Sequence, residues 1–212
     1  MSYPLDYSLY LVISQSDCLG RDVFQVLEQA VLGGVSLVQL REKSMPTRNL
    51  VSLAKKIKAL LDQHNIPLII NDRVGVALAV DAAGVHVGQD DMHPLDARPL
   101  IGPHRILGLS INTEEQLEEA YNLPVDYLGI GPVFATQTKK DCKPVLGVEQ
   151  LSLLCRKKHV PAVGIGGITI DNASQITAAG AEGVAVVSAV CAAERPEEAA
   201  AHLRRLIAPQ RE

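Results

Sequence analysis

The chain has 212 residues, 47% of them hydrophobic and 21% charged, with 20 basic against 24 acidic side chains for a formal charge of −4. That length supports a core large enough to need neither a disulfide framework nor a structural metal. The acidic balance, with 3% aromatics and no tryptophan, argues against a nucleic-acid partner, which would call for many phosphate-neutralising cations and base-stacking rings.

Short apolar, β-branched runs recur along the chain, each followed by a longer amphipathic stretch. The predicted strands cover 8–13, 36–40, 67–70, 84–88, 105–109, 126–130, 161–165 and 183–187. The helix after the first runs from Asp22 to Leu32, with apolar residues at 23, 26, 27, 30 and 31 forming one stripe. The next, 47–62, repeats that stripe with Leu50, Leu53, Ala54, Ile57, Leu60 and Leu61. Shorter helical patterns at 74–80 and 95–101 follow the third and fourth strands. Thr113, three residues ahead of Gln116, reads as an N-cap for a helix reaching about Tyr121. Later helices are predicted at 147–158, 171–179 and 196–207, the last with Pro196 at its first position.

Eight strand–helix alternations point to one closed (β/α)8 barrel, with residues 1–212 as a single domain. A doubly wound open sheet is the alternative. It would want a glycine-rich phosphate turn after an early strand, whereas the segment after the first strand is Ser14-Gln-Ser-Asp-Cys-Leu-Gly20. No apolar run nears the roughly 20 residues of a membrane-spanning helix. The N-terminal segment lacks a signal-peptide pattern, and the scattered cysteines fit a reducing cytoplasm, so a cytoplasmic location is expected. The four cysteines contain no Cys-x-x-Cys pair and the six histidines no close metal spacing. A zinc site or redox motif is therefore not expected of the cysteines, and the histidines are read as surface or packing groups.

A barrel places its chemistry at the carboxyl ends of the strands. The second strand runs out as Gln39-Leu40-Arg41-Glu42-Lys43. Alternation puts Val38 and Leu40 on one face and aims Gln39, Arg41 and Lys43 at the mouth. An amide and two cations there suit a phosphorylated ligand; the alternative is a solvated strand end with Arg41 paired to a neighbouring acid. The third and fourth strands end in Asn71-Asp72 and Gly88-Gln-Asp-Asp91, offering carboxylates for Mg²⁺ or for ordinary caps. The sixth is followed by Thr136-Gln137-Thr138-Lys139, a polar loop able to contact phosphate. The seventh and eighth end in Gly164-Ile-Gly-Gly167 and Val187-Ser188, where bare backbone N–H groups can approach an anion.

In order and at these intervals, the motifs resemble the thiamine phosphate synthase family. The resemblance spans nearly the whole chain and also includes Leu107-Gly-Leu-Ser110 and Gly131-Pro-Val-Phe134. It implies a (β/α)8 barrel that joins a pyrimidine diphosphate to a thiazole phosphate, releasing pyrophosphate and forming thiamine monophosphate. By position it implies that Gln39, Arg41, Lys43, Asn71, Ser110 and Lys139 hold the pyrimidine diphosphate, with Leu40 and Glu42 in the same binding stretch. Of these, Arg41, Lys43, Ser110 and Lys139 would act in catalysis. Asp72 and Asp91 would ligate Mg²⁺, with Asp90 an alternative to Asp91. Thr136, Gln137, Thr138, Gly167, Val187 and Ser188 would line the thiazole phosphate site. The rivals are a thiazole tautomerase on the same barrel, a noncatalytic binder of thiamine phosphates, and an unrelated phosphate-binding barrel. The partners implied are small molecules, with neither nucleic acid nor membrane; a homo-oligomer is compatible with the sequence but not specified by it.

Overall fold

Alternating strands and helices run through the computed structural model, which describes residues 5–136 and 144–208. In chain order the elements are β1 (Leu9–Ile13), α1 (Val23–Leu32), β2 (Leu37–Leu40), α2 (Thr47–Asp62), β3 (Leu68–Asn71), α3 (Val74–Ala79), β4 (Gly84–Val87), α4 (Pro94–Ile101) and β5 (Ile106–Ile111). There follow α5 (Glu114–Ala120), β6 (Tyr127–Ile130), α6 (Gly147–Lys157), β7 (Ala162–Ile165), α7 (Ala173–Ala178), β8 (Gly183–Val186), α8 (Ser188–Cys191) and α9 (Pro196–Ile207). The strands are all parallel and pair in sequence order, and β1 also pairs with β8 to close the barrel. The predicted strands and long helices stand, with ends shifted by one or two residues. The four-residue α8 and a 3-10 turn at Ser16–Cys18 are too short to show a period in sequence.

Strand alternation sorts the core into two layers. Leu9, Leu11 and Ile13 of β1 and Val38 and Leu40 of β2 belong to the outer layer between strands and helices. Tyr10, Val12 and Leu37 point inward, where Ile69, Tyr127, Val163 and Ala185 meet them. Both faces are thus covered, which is why the strands read as continuous apolar runs. Asp22 caps α1 by accepting from the Phe24 N–H, and Thr113 caps α5 by accepting from the Gln116 N–H, as its spacing predicts. α9 returns beside α1 so closely that a Cβ on Gly33 would lie 2.3 Å from the Glu197 carbonyl oxygen.

Candidate active site

A cavity of about 350 Å³ opens at the carboxyl ends of the strands. Gln39, Arg41 and Lys43 all line it, because the parity that sends Val38 and Leu40 outward sends this set to the mouth. Arg41 is half-buried, and among the described residues no carboxylate forms an ion pair with it. Among those residues, Arg41 is thus not a locally neutralised strand end. Leu40 is buried in the outer layer, and Glu42 accepts a hydrogen bond from the Gln15 N–H at 2.7 Å. Their side chains therefore serve packing and the β1 loop rather than the mouth.

The carboxylates sit on the neighbouring strand ends. Asp72 follows β3 in the left-handed region, at φ 59°, a conformation aspartate tolerates better than most residues. Its backbone N–H donates to the His86 carbonyl at 2.8 Å, and the next residue folds back, with Arg73 N–H on the Asn71 carbonyl at 2.7 Å. Its side chain takes a 2.5 Å hydrogen bond from Lys43 Nζ. Asp91 accepts from the Gly88 N–H at 2.8 Å and meets Asp72. Burial, followed by the adjacent Asp91, raises the Asp72 carboxyl above its ordinary range despite Lys43. Burial works against ionised Asp91 too, but hydrogen bonds from Asp72 and the Gly88 N–H outweigh it and hold that carboxyl low. Two carboxyls displaced in opposite directions are the signature of a close acidic pair. Asp90 stays exposed at the rim.

Across the mouth stand the β7 and β8 ends. Gly166 and Gly167 both have left-handed backbones, and a Cβ on Gly167 would lie 2.5 Å from the Ala135 carbonyl oxygen. Only glycine fits there without displacing the β6 loop. Val187 and Ser188 lead into α8 and line the same cavity, as do Asn71, Ser110 and Thr136. Arg21 donates to the Cys191 carbonyl and, at 2.7 Å, to that of Ala193, anchoring the end of α8. Gln137, Thr138 and Lys139 lie outside the described residues.

A family model described as thiamine monophosphate synthase matches residues 9–190. The chain belongs to the thiamine monophosphate synthase family. A thiamine-phosphate synthase of Albidiferax ferrireducens is 50% identical over 199 residues, covering 94% of this chain and 91% of that one. One from Azorhizobium caulinodans is 46% identical over 211 residues, the whole of both chains. Among solved structures, a thiamine phosphate pyrophosphorylase from Pyrococcus furiosus aligns with a TM-score of 0.87 at 34% identity, over 96% of each chain.

Within this family frame, four residues that motif reading passed over take on roles at the mouth. Arg73 donates to the carbonyls of Met45 at 2.9 Å and Lys43 at 3.1 Å, holding the loop that carries Lys43. Tyr10, Tyr127 and His86 are buried beneath the mouth and joined by hydrogen bonds. His86 is no surface or packing histidine: its Nδ1 lies 2.8 Å from the Tyr127 hydroxyl and its Nε2 2.8 Å from Ser110 Oγ. The signal was parity, since Val85 and Val87 face the helices and leave Gly84 and His86 facing in.

Proposed function

We propose that this chain is the transferase that its family membership implies, condensing a pyrimidinylmethyl diphosphate with a thiazole phosphate to give thiamine monophosphate and pyrophosphate. The observation that carries the reading is the division of one cavity. Gln39, Arg41, Lys43, Asn71 and Ser110 gather on one side; Gly167, Val187 and Ser188 stand on the other. An amide, a serine hydroxyl and two cations, of which Lys43 already meets Asp72, suit a heterocycle bearing a diphosphate, while backbone N–H groups at the glycine turn suit a smaller phosphate.

In the reaction the bond from the pyrimidine methylene carbon to the diphosphate oxygen breaks, and the thiazole nitrogen donates its lone pair to that carbon. The electrons of the broken bond leave on pyrophosphate. Arg41 and Lys43 neutralise the growing charge of the leaving group, with Lys139 assigned the same part by position. The attacking nitrogen carries no proton, so no general base is needed. Holding both substrates in one mouth supplies much of the remaining acceleration.

The donor set fits a hard divalent cation. Burial, and after it the neighbouring Asp91, raises the Asp72 carboxyl, and a bound cation would favour the ionised form of both groups. Two carboxylates completed by water and substrate oxygens are a usual Mg²⁺ arrangement. Among the described residues no group of three His, Cys, Asp or Glu side chains is placed to hold a metal ion, so water and substrate oxygens would complete the set around these two. Bound there, Mg²⁺ would add Lewis-acid stabilisation of the departing pyrophosphate.

The direct test mixes the purified protein with the pyrimidine diphosphate, the thiazole phosphate and Mg²⁺, and follows pyrophosphate and thiamine monophosphate. Equimolar formation of both is expected. Absence of product from folded protein overturns the reading.

A further inference from the structure

We propose that His86 is a positioning residue which, through Tyr127 and Tyr10, makes Ser110 a hydrogen-bond donor to a ring nitrogen of the substrate heterocycle. The inference rests on the synthase reading for the identity of that heterocycle, but its hydrogen-bond logic comes from the barrel interior alone.

Five side chains form one continuous path across the floor of the mouth. Gln39 Nε2 donates to the Tyr10 hydroxyl at 2.8 Å. Tyr10 and Tyr127 hydroxyls are 2.8 Å apart, Tyr127 is 2.8 Å from His86 Nδ1, and His86 Nε2 is 2.8 Å from Ser110 Oγ. An amide nitrogen only donates, so the direction is set at Gln39. Tyr10 is 1% exposed, and its own hydrogen, which burial obliges to find an acceptor, goes to Tyr127. The Tyr127 hydrogen passes in turn to Nδ1 of His86. A neutral imidazole accepting at Nδ1 carries its proton on Nε2, and that proton is given to Ser110. With its oxygen engaged, Ser110 turns its hydrogen into the cavity.

The two ends of the path therefore show the ligand opposite polarities. Ser110 offers a donor. Gln39, with its nitrogen committed to Tyr10, keeps its carbonyl oxygen as an acceptor. A ring nitrogen beside an amino group, as on an aminopyrimidine, is the complementary pattern. Had His86 the other tautomer, Ser110 would present lone pairs to a ring nitrogen's lone pair, and the contact would repel.

The barrel is built to hold this path. Register places Asn71, His86, Gly108 and Tyr127 in one row on β3 to β6. Gly108 stands between the histidine and the tyrosine, where a Cβ would come within 2.2 Å of the Tyr127 ring and 2.4 Å of His86 Nδ1. On β6, a Cβ at Gly129 would lie 3.2 Å from His86 Cε1. Two glycines thus leave the space that the rings fill. Burial also keeps both tyrosine hydroxyls protonated far above the ordinary range, so they remain donors.

Nitrogen-15 NMR of histidine-labelled protein tests the path without any assay of activity. The His86 ring is expected as the Nε2–H tautomer, becoming a mixture in Tyr127→Phe; an Nδ1–H ring in the wild type overturns the proposal. Kinetics supply the second arm. His86→Leu is expected to raise KM for the pyrimidine diphosphate about 10–100-fold, the size of one lost hydrogen bond in a dry site. KM for the thiazole phosphate should stay within about twofold, and His86→Gln, which retains an N–H for Ser110, should recover part of the loss. On a Ser110→Ala background His86→Leu should add almost nothing. Equal losses for both substrates, or full additivity with Ser110→Ala, overturn the proposal. If His86→Leu does not fold, Tyr127→Phe is expected to give the same split between substrates, and an even loss in it is equally decisive. Absence of wild-type turnover with the expected tautomer intact would count against the synthase reading, not against the path.

Discussion

The two ends of the barrel treat charge in opposite ways. At the amino ends of the strands, charges are matched and tied to backbone. Arg98 pairs with Asp126 at 2.6 Å and also donates to the carbonyls of Pro124, Gly102 and Arg105. Asp126 in turn accepts the Leu107 N–H at 2.7 Å, just as Glu182 accepts that of Ala162 at 2.7 Å and Ser36 that of Leu9 at 3.1 Å. Each of these acceptors precedes an even-numbered strand and satisfies the first or second residue of the odd strand before it. At the carboxyl ends Arg41 has no ionic partner among the described residues, and Asp72 and Asp91 crowd each other. The closed end uses its polar groups to finish the sheet. The open end leaves two carboxyls in a conflict that a charged ligand would relieve.

Three perturbations test that contrast. The largest effect is expected from Asp72→Asn, which keeps a residue tolerant of the left-handed backbone but removes the charge. Its kcat/KM should fall at least about 10²-fold, with the midpoint of thermal unfolding within a few degrees of wild type. A loss of stability matching the loss of activity would erase the distinction between the ends. Arg98→Ala should do the reverse. It strands Asp126 and several carbonyls at once, so urea unfolding should show a loss of about 2–3 kcal/mol, while kcat stays within about twofold. A large fall in kcat in folded protein would show that the closed end also serves the chemistry.

The smallest effect concerns acid. Asp6, ahead of β1, is partly buried, which raises its carboxyl, but hydrogen bonds from Arg204 and Ser8 prevail and leave it below the ordinary range. The unfolded chain then binds more protons than the native one between the two titrations. Asp6 therefore contributes stability above the ordinary carboxylate range, lost as pH falls through its depressed native value. Asp6→Asn should flatten that acid limb in unfolding measurements at several pH values. An unchanged limb would mean that Asp6 lends the closed end no such support.

Most of the architecture was legible because barrel strands and their helices carry strong local signals. Eight apolar runs and the stripes of 22–32 and 47–62 suffice for the alternation, and alternation requires a parallel sheet. Much of the mouth was legible as well, since strand parity alone places Gln39, Arg41 and Lys43 together. Leu40 and Glu42 show the limit of a motif: contiguous in sequence, they turn to the helices and to the β1 loop. Arg73 is not legible in the sequence because its partners, the carbonyls of Met45 and Lys43, are backbone groups with no sequence signature. His86 is illegible for a different reason. Its importance lies in what its two nitrogens face, and neither Tyr127 nor Ser110 is near it along the chain.

Composition and pattern alone thus determined the barrel, its reading frame and which side chains point to the mouth, because each depends on local periodicity. The net charge of −4 says little about the ligand, since it sums over a surface that the mouth does not share. Tertiary structure alone decided that Asp72 would meet Asp91, that Arg41 would remain without an ionic partner among the described residues, and that Gln39, Tyr10, Tyr127, His86 and Ser110 would join into one hydrogen-bonded path. Those outcomes depend on closure of the sheet, which brings residues from different strands to within hydrogen-bonding distance. No interval along a single chain encodes that distance.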